Sequence, residues 1–262
     1  MAGSLIERTL RVLETLSSEP DGIPLQRLAE RLEIPKSAAH RICNELIRLG
    51  YARQETRTGH YRLSTRLIAL GFRYLGSTGA SDVLQPILDR LAAETGELVR
   101  LGVIEGDRQT WIAKAQGTRT GLRYDPDMGR EAPLRYTASG QAWLACLDDH
   151  AALALLARQG DADPDPERFG PNAPRSDAEL LERLARARER GYTCCVDSSA
   201  LGTSAFGAVI RHPTQGHPIG VISIAGPSVR LTEPRMHELA PKLLQAVEEL
   251  SQCSQASQLF SE

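Results

Sequence analysis

Two short helical patterns separated by only Glu33-Ile34-Pro35 most constrain what this chain can become. A break that short admits only a tight turn, so the two helices must cross and pack on each other. The second pattern carries Ala38, Ile42, Leu46 and Leu49 at spacings of four, four and three, one stripe of an α-helix. Its other side carries Lys36, Ser37, His40, Arg41, Asn44 and Arg48, side chains of the types that reach base edges and phosphates. Pro35 suits the first helical turn, where a missing N–H costs nothing, and Gly50 suits the left-handed position that closes the helix. Two strand patterns follow, Tyr51–Gln54 and His60–Leu63, joined by Glu55–Gly59. Helix, turn, helix and hairpin predict a winged helix-turn-helix. Arg53, Arg57, His60 and Arg62 cluster around the hairpin, where contacts to a phosphate backbone would need them.

An ordinary helical hairpin with a solvated polar face would share much of this pattern. Charge partition argues against it. Residues 1–75 hold twelve Lys and Arg against eight Asp and Glu, leaving +4; the remainder holds 19 against 25, leaving −6. The whole-chain charge of −2 hides a basic head on an acidic body, and a basic face is the electrostatic footprint of nucleic-acid binding. No run of eighteen apolar residues exists, so no membrane span is expected. The N-terminal segment lacks the apolar core of a signal peptide and is broken by Glu7, Arg8, Arg11 and Glu14. It predicts an amphipathic helix with Leu5, Ile6, Leu10, Leu13 and Leu16 apolar. Five scattered cysteines, Cys43, Cys146, Cys194, Cys195 and Cys253, suit a reducing cytoplasm rather than a disulfide framework. Cys43 is expected to pack beside the apolar stripe, and Cys194 and Cys195 to be small hydrophobes.

With 262 residues the chain has room for two domains. The expected divisions are a winged helix-turn-helix over 1–63, a connecting helix and linker over 64–79, and a second domain over 80–262. The second domain opens with a helix over Asp82–Glu94. Strands are expected at Leu98–Ile104 and Thr110–Ala115, short strands and loops over Gly117–Pro133, and a helix over Gln141–Leu147. Asp161–Pro174 reads as a surface loop. Ser176 and Glu179 form a capping box for a helix closed by Gly191. Strands follow at Tyr192–Val196, Ala205–Arg211 and Ile219–Ala225, then a helix from about Thr232 to Cys253. Hairpin-paired strands flanked by helices indicate an α+β domain with a mainly antiparallel sheet, not a βαβ dinucleotide fold.

The chain resembles the IclR family of transcriptional regulators over nearly its whole length. The head carries the pattern in Arg8–Leu13, Leu28–Leu32, Ile34-Pro35-Lys36-Ser37 with His40-Arg41, Leu49-Gly50-Tyr51 and Tyr61-Arg62-Leu63. The body carries it in Pro133-Leu134, Thr137–Ala145, Arg190-Gly191-Tyr192 and Ile222–Pro227. The resemblance implies a GAF-like effector-binding domain and a homodimer or homotetramer. It points to an effector pocket lined by Thr137, Ala138, Ser139, Gly140 and Gln141, by Thr203, Ser204 and Ala205, and by Ser223 and Ala225. The sequence departs from the family at Pro24, at Gln141 and at Ala205–Ala208, and the last two leave the effector's identity open. Taken without the resemblance, Thr137–Gln141 reads as a well-capped helix start; its small residues would also let backbone N–H groups face an anion. Arg123 and Arg135 are expected at the solvated surface.

An enzymatic body, such as a small-molecule hydrolase, is the alternative. Thr137-Ala138-Ser139-Gly140 lacks the glycine two residues before Ser that a nucleophile elbow needs. His212 and His217 have no nearby Cys or carboxylate pair to make a metal site. A structural DNA-binding protein without a ligand is a third possibility. The expectation is a cytoplasmic, non-enzymatic regulator without metal or cofactor. It would bind a near-palindromic operator as a dimer or tetramer and be switched by a small organic acid. Repression or activation, the operator and the acid are not legible.

Overall fold

The computed structural model describes residues 4–78, 80–126, 128–129, 131–159, 169–254 and 260. The chain divides into two units, Met1–Ser77 and Thr78–Glu262.

In the first unit, α1 (Leu5–Ser17) begins in a reciprocal capping box between Ser4 and Glu7. Two turns later come α2 (Leu25–Arg31) and α3 (Lys36–Arg48), then the hairpin β1 (Ala52–Gln54) and β2 (Tyr61–Leu63), then α4 (Thr65–Ser77). Both helices of the central pair end in the same way. Glu33 after α2 and Gly50 after α3 take left-handed backbone, and the following N–H reaches back: Ile34 to Ala29 and Tyr51 to Leu46. Glycine does this freely at position 50; Glu33 does it at a cost of roughly 1 kcal/mol because its Cβ crowds the carbonyl. Ile23 makes an antiparallel bridge to Tyr61 and so adds a third extended segment beside β2.

The buried core joins Val12, Leu16, Ile23, Leu28, Leu32, Ile42, Cys43, Leu46, Ala52 and Tyr61. The α3 stripe is therefore Ala39, Ile42, Cys43 and Leu46, not the expected Ala38, Ile42, Leu46 and Leu49. Both spacings keep a stripe on one side of the axis and share Ile42 and Leu46, so packing against the rest of the unit decides between them; Leu49 caps the helix and is exposed. Helix α1 is apolar on more than the side that meets the core. It buries Val12 and Leu16, and leaves Leu5, Ile6 and Leu10 exposed.

The second unit is built on a five-stranded antiparallel sheet. Its strands are β3 (Leu98–Glu105), β4 (Arg108–Gln116), β5 (Thr193–Val196), β6 (Thr203–Arg211) and β7 (Pro218–Pro227), in the order β4-β3-β7-β6-β5. One sheet face packs on α5 (Ala80–Thr95) and α9 (Glu233–Cys253) through Val99, Leu101, Phe206, Ile222 and Ile224. The other faces α6 (Ala138–Leu144) and α8 (Asp177–Arg190), with α7 (Asp149–Gln159) extending that layer through Leu155 and Leu156. The result is a three-layer α+β unit.

Several expectations change here. Residues 117–133 form no ladder strand among the described residues; Glu131 makes one isolated bridge to Thr110. Helix α7 has no counterpart in the sequence reading, because its run of Ala and Leu shows little polar face. Ser176 caps α8 as expected, but Glu179 accepts from the Arg175 N–H rather than from Ser176. Residues 160–168 of the expected surface loop lie outside the described residues. The part that follows is packed: Phe169 stacks on Tyr136 at 3.7 Å, and Ala173 is buried.

Candidate functional site

Helix α3 turns Ile42, Cys43 and Leu46 into the core, and geometry then forces the residues between them outward. Lys36, Ser37, His40, Arg41, Asn44 and Arg48 are all exposed. His40 and Asn44, one turn apart, touch at 3.3 Å. Arg48 is engaged by Glu45 through Nε at 2.9 Å and Nη2 at 2.5 Å, and holds the Glu45 carboxyl below its usual range. So much exposure makes the pair weak, but it lowers the net charge at that end of the helix. Burial pushes the Cys43 thiol up to about 11, as suits a packing residue.

In the hairpin, Arg53 and Arg57 are exposed and His60 is half-buried at the tip. Arg62 has another occupation. Its Nε and Nη2 donate to the Pro20 carbonyl at 3.1 and 2.6 Å, and Nη1 donates to Glu55 at 3.1 Å. Gly22 lies so close that a Cβ there would sit 2.7 Å from Arg62 Cγ. Arg62 thus ties the hairpin to the α1–α2 loop instead of standing free for phosphate.

In the second unit the residues Thr137–Gln141 form the joint between a loop and α6. Thr137 Oγ1 accepts from the Gly140 N–H at 3.1 Å and donates to the Pro133 carbonyl at 3.0 Å. Gly140 is required, because a Cβ would fall 2.2 Å from Leu134 Cα. Ser139 Oγ lies 3.4 Å from Thr137 Oγ1. Gln141 donates to the Arg135 carbonyl at 2.8 Å and accepts from Cys195 Sγ at 3.4 Å. The start of α6 sits on β5 and β6: Thr193 Oγ1 donates to the Ala138 carbonyl at 2.7 Å, and Ala138 lies over Gly207. Ala138, Cys195, Ala205 and Ala225 pack together under Tyr124. With only seven residues, one N–H taken by Thr137 and one carbonyl by Thr193, α6 is chiefly a structural joint.

Strand alternation divides the remaining candidates. Ala205 pairs with Ala225 and Gly207 with Ser223, so these face α6 together, and Thr203 lies on the same side. Ser204 pairs with Gly226 and shares its side with Phe206, so it points toward α5 and α9, away from the other candidates. Arg135 is buried and paired with Asp177 at 2.6 Å rather than solvated, whereas Arg123 is exposed beside Asp125. Burial pushes Cys195 up to about 12. His212 and His217 stack at 5.2 Å, and among the described residues no cluster of His, Cys, Asp or Glu is arranged to hold a metal ion. Sequence reasoning passed over Arg100, Gln109 and Trp111, all buried on the α6 side of the sheet. The available signal was a lone cation inside the apolar run Leu98-Val99-Arg100-Leu101.

The model of the IclR helix-turn-helix domain matches residues 5–56, and that of the bacterial transcriptional regulator IclR C-terminal region matches residues 72–252. The chain belongs to the IclR family of bacterial transcriptional regulators. It is 28% identical to the transcriptional repressor IclR of Escherichia coli over 94% of this chain and 88% of that protein. It is 27% identical to the acetate operon repressor of Salmonella typhimurium over the same shares. Among solved structures, an IclR transcriptional regulator from Alicyclobacillus acidocaldarius superposes with a TM-score of 0.82 at 23% identity, covering 97% of this chain and all of that one. An IclR homologue from Microbacterium hydrocarbonoxydans complexed with 4-hydroxybenzoate superposes at 0.76 with 23% identity and the same coverage. This IclR-family member is accordingly a DNA-binding regulator and not an enzyme. No described helix is long and apolar enough to cross a membrane.

Proposed function

We propose that this regulator is ligand-responsive, with a DNA-binding head over residues 1–63, a connecting segment over 64–79 and an effector-binding body over 80–262. The observation that carries the DNA reading is the exposed row Lys36, Ser37, His40, Arg41 and Asn44 on a helix whose other side is locked into a core. Arg53 and Arg57 flank it from the hairpin and supply backbone contacts. A major groove admits such a helix, and two symmetry-related copies fit a near-palindromic operator. Exposed Leu5, Ile6 and Leu10 on α1 and Ile68, Phe72 and Tyr74 on α4 are apolar surface that a second copy would cover, so a homodimer or homotetramer is the working form. Its place of action is the cytoplasm.

The body binds a small organic acid on the sheet face under α6, among Thr137–Gln141, Thr203, Ala205, Ser223 and Ala225. The structural relative that holds 4-hydroxybenzoate makes aromatic acids the first compounds to try. An effector shifts DNA affinity only by binding one arrangement of the heads better than another. The test begins by selecting an operator from a random duplex pool with the full chain. Arg41→Ala or Asn44→Ala should then weaken that operator by about 1–3 kcal/mol for each base edge the side chain reads. Unchanged affinity in both folded variants removes α3 from the interface.

A further inference from the structure

We propose that Arg100 is the group that selects an anionic effector: a carboxylate docks on the Arg100 guanidinium, on the sheet face that Ser223, its neighbour across the β3–β7 ladder, also lines. This rests on the reading of the body as effector-binding and names the chemistry of that site.

Arg100 is 5% exposed, in the middle of β3. Its Nε has no hydrogen-bond partner, and among the described residues no carboxylate pairs with it. Burial without a counter-charge lowers its pKa. The guanidinium carbon lies 3.8 Å from the centroid of the Trp111 ring and 5.9 Å from that of Tyr124. Stacking of this kind covers a guanidinium face and leaves its N–H edge for a planar anion, the arrangement in which arginine grips a carboxylate with two hydrogen bonds. Lys114 pairs with Arg100 across the β4 ladder, but its ammonium is taken by Asp125 at 2.5 Å.

The neighbours point the same way. Arg100 pairs with Ser223 on β7, and Ser223 pairs with Gly207 on β6. This row faces α6, and Ser223 Oγ is buried without a partner. So are Trp111 Nε1 and both ends of the Gln109 amide, on the same face. Of the six buried side-chain polar atoms without partners among the described residues, five lie on this side of one sheet and only Ser204 on the other. Native proteins rarely leave such atoms unpaired, and a set gathered on one surface is explained by a ligand that completes it. Two residue pairs further along the strands, on the same face, come Ala205 and Ala225, packed with Ala138 and Cys195. The site therefore fits an acid with a short apolar body lying over these small residues.

The test uses the full-length protein with benzoate, 4-hydroxybenzoate and butyrate, each beside its primary amide. Thermal shift and calorimetry are run on wild type, Arg100→Met, Arg100→Lys and Ser223→Ala. At least one acid should stabilise wild type while its amide does not. Arg100→Met should weaken that acid by roughly 30-fold or more, as expected for removing one partner of a buried charge pair, with partial recovery in Arg100→Lys. Without ligand, Arg100→Met should melt level with wild type or about 2–4 °C higher, because it removes an unpaired buried charge. The proposal is overturned by an acid shift that survives Arg100→Met, by acids and amides acting alike, or by no acid acting on wild type. A ligand-free drop of more than about 4 °C in Arg100→Met also overturns it, since Arg100 would then be structural. Equal effects of acid and amide would still leave a ligand-responsive body. Failure of wild type to retain any operator would instead remove the regulatory reading while leaving the acid site standing.

Discussion

Replacing Arg62 by Ala separates a structural arginine from a phosphate-binding one. Arg62 is 25% exposed and makes two hydrogen bonds to the Pro20 carbonyl and one to Glu55. Hydrogen bonds to a charged group contribute roughly 1.5–3 kcal/mol in all when the donor is largely buried. The Glu55 pair is partly solvated and adds well under about 1 kcal/mol. A loss of about 2 kcal/mol follows for the junction between hairpin and α1–α2 loop. That is roughly a 30-fold rise in its opening equilibrium. The mutual bonds of Ile23 and Tyr61, at 3.1 and 2.9 Å, report on that junction. Their amides should exchange about 30-fold faster in Arg62→Ala, measured by hydrogen exchange on the full chain. The salt dependence of operator affinity should keep its slope in the fraction that remains folded. Arg57→Ala should do the reverse, lowering the slope by about one unit with native exchange. A slope reduced by one in Arg62→Ala with unchanged exchange would refute the structural assignment.

Gly140→Ala places a Cβ against the Leu134 backbone, which cannot rotate away, so about 3 kcal/mol of stability should be lost. Calorimetry should show the body melting roughly 6–12 °C lower, and a change under about 2 °C would mean that the joint can relax. Phe72 is 70% exposed on α4. If a second copy covers it, Phe72→Ser should raise the dissociation constant of the assembly about tenfold or more by sedimentation, and an unchanged value excludes α4 from the contact. Burial holds Cys43 near 11 and Cys195 near 12, so both stay neutral thiols at pH 8. Iodoacetamide should label them only after unfolding, as read by mass spectrometry; rapid labelling of Cys195 in the native protein would show that its cover opens.

Local signals carried most of the element order. Pro35 and Gly50 bound α3, Ser176 and Gly191 bound α8, and Thr232 caps α9, because caps and left-handed glycines act over one helical turn. The winged head was legible for that reason, and so was the outward row from Lys36 to Asn44. Where two registers satisfied the same local rule, the pattern misled. Cys43, not Leu49, completes the α3 stripe, and the Glu179 carboxylate accepts from the Arg175 N–H rather than from that of Ser176.

Sequence alone could determine a helix-turn-helix with a hairpin, a basic head and an acidic body, because helical period, turn length and charge are properties of neighbouring residues. Only the tertiary structure decided what each polar side chain faces. Arg53, Arg57 and Arg62 are alike in sequence, yet Arg62 alone meets the Pro20 carbonyl, 42 residues away along the chain. Ser204 and Ser223 both sit in small-residue strands, but the β6–β7 register sends them to opposite sides of the sheet. Arg100 reads as a blemish in an apolar strand until β3 is laid beside β7 and β4, which sets it between Ser223 and the Trp111 ring. A side chain's partner depends on which strand lies alongside and in which register, and that is set by burial of the whole sheet rather than by the residues next to it.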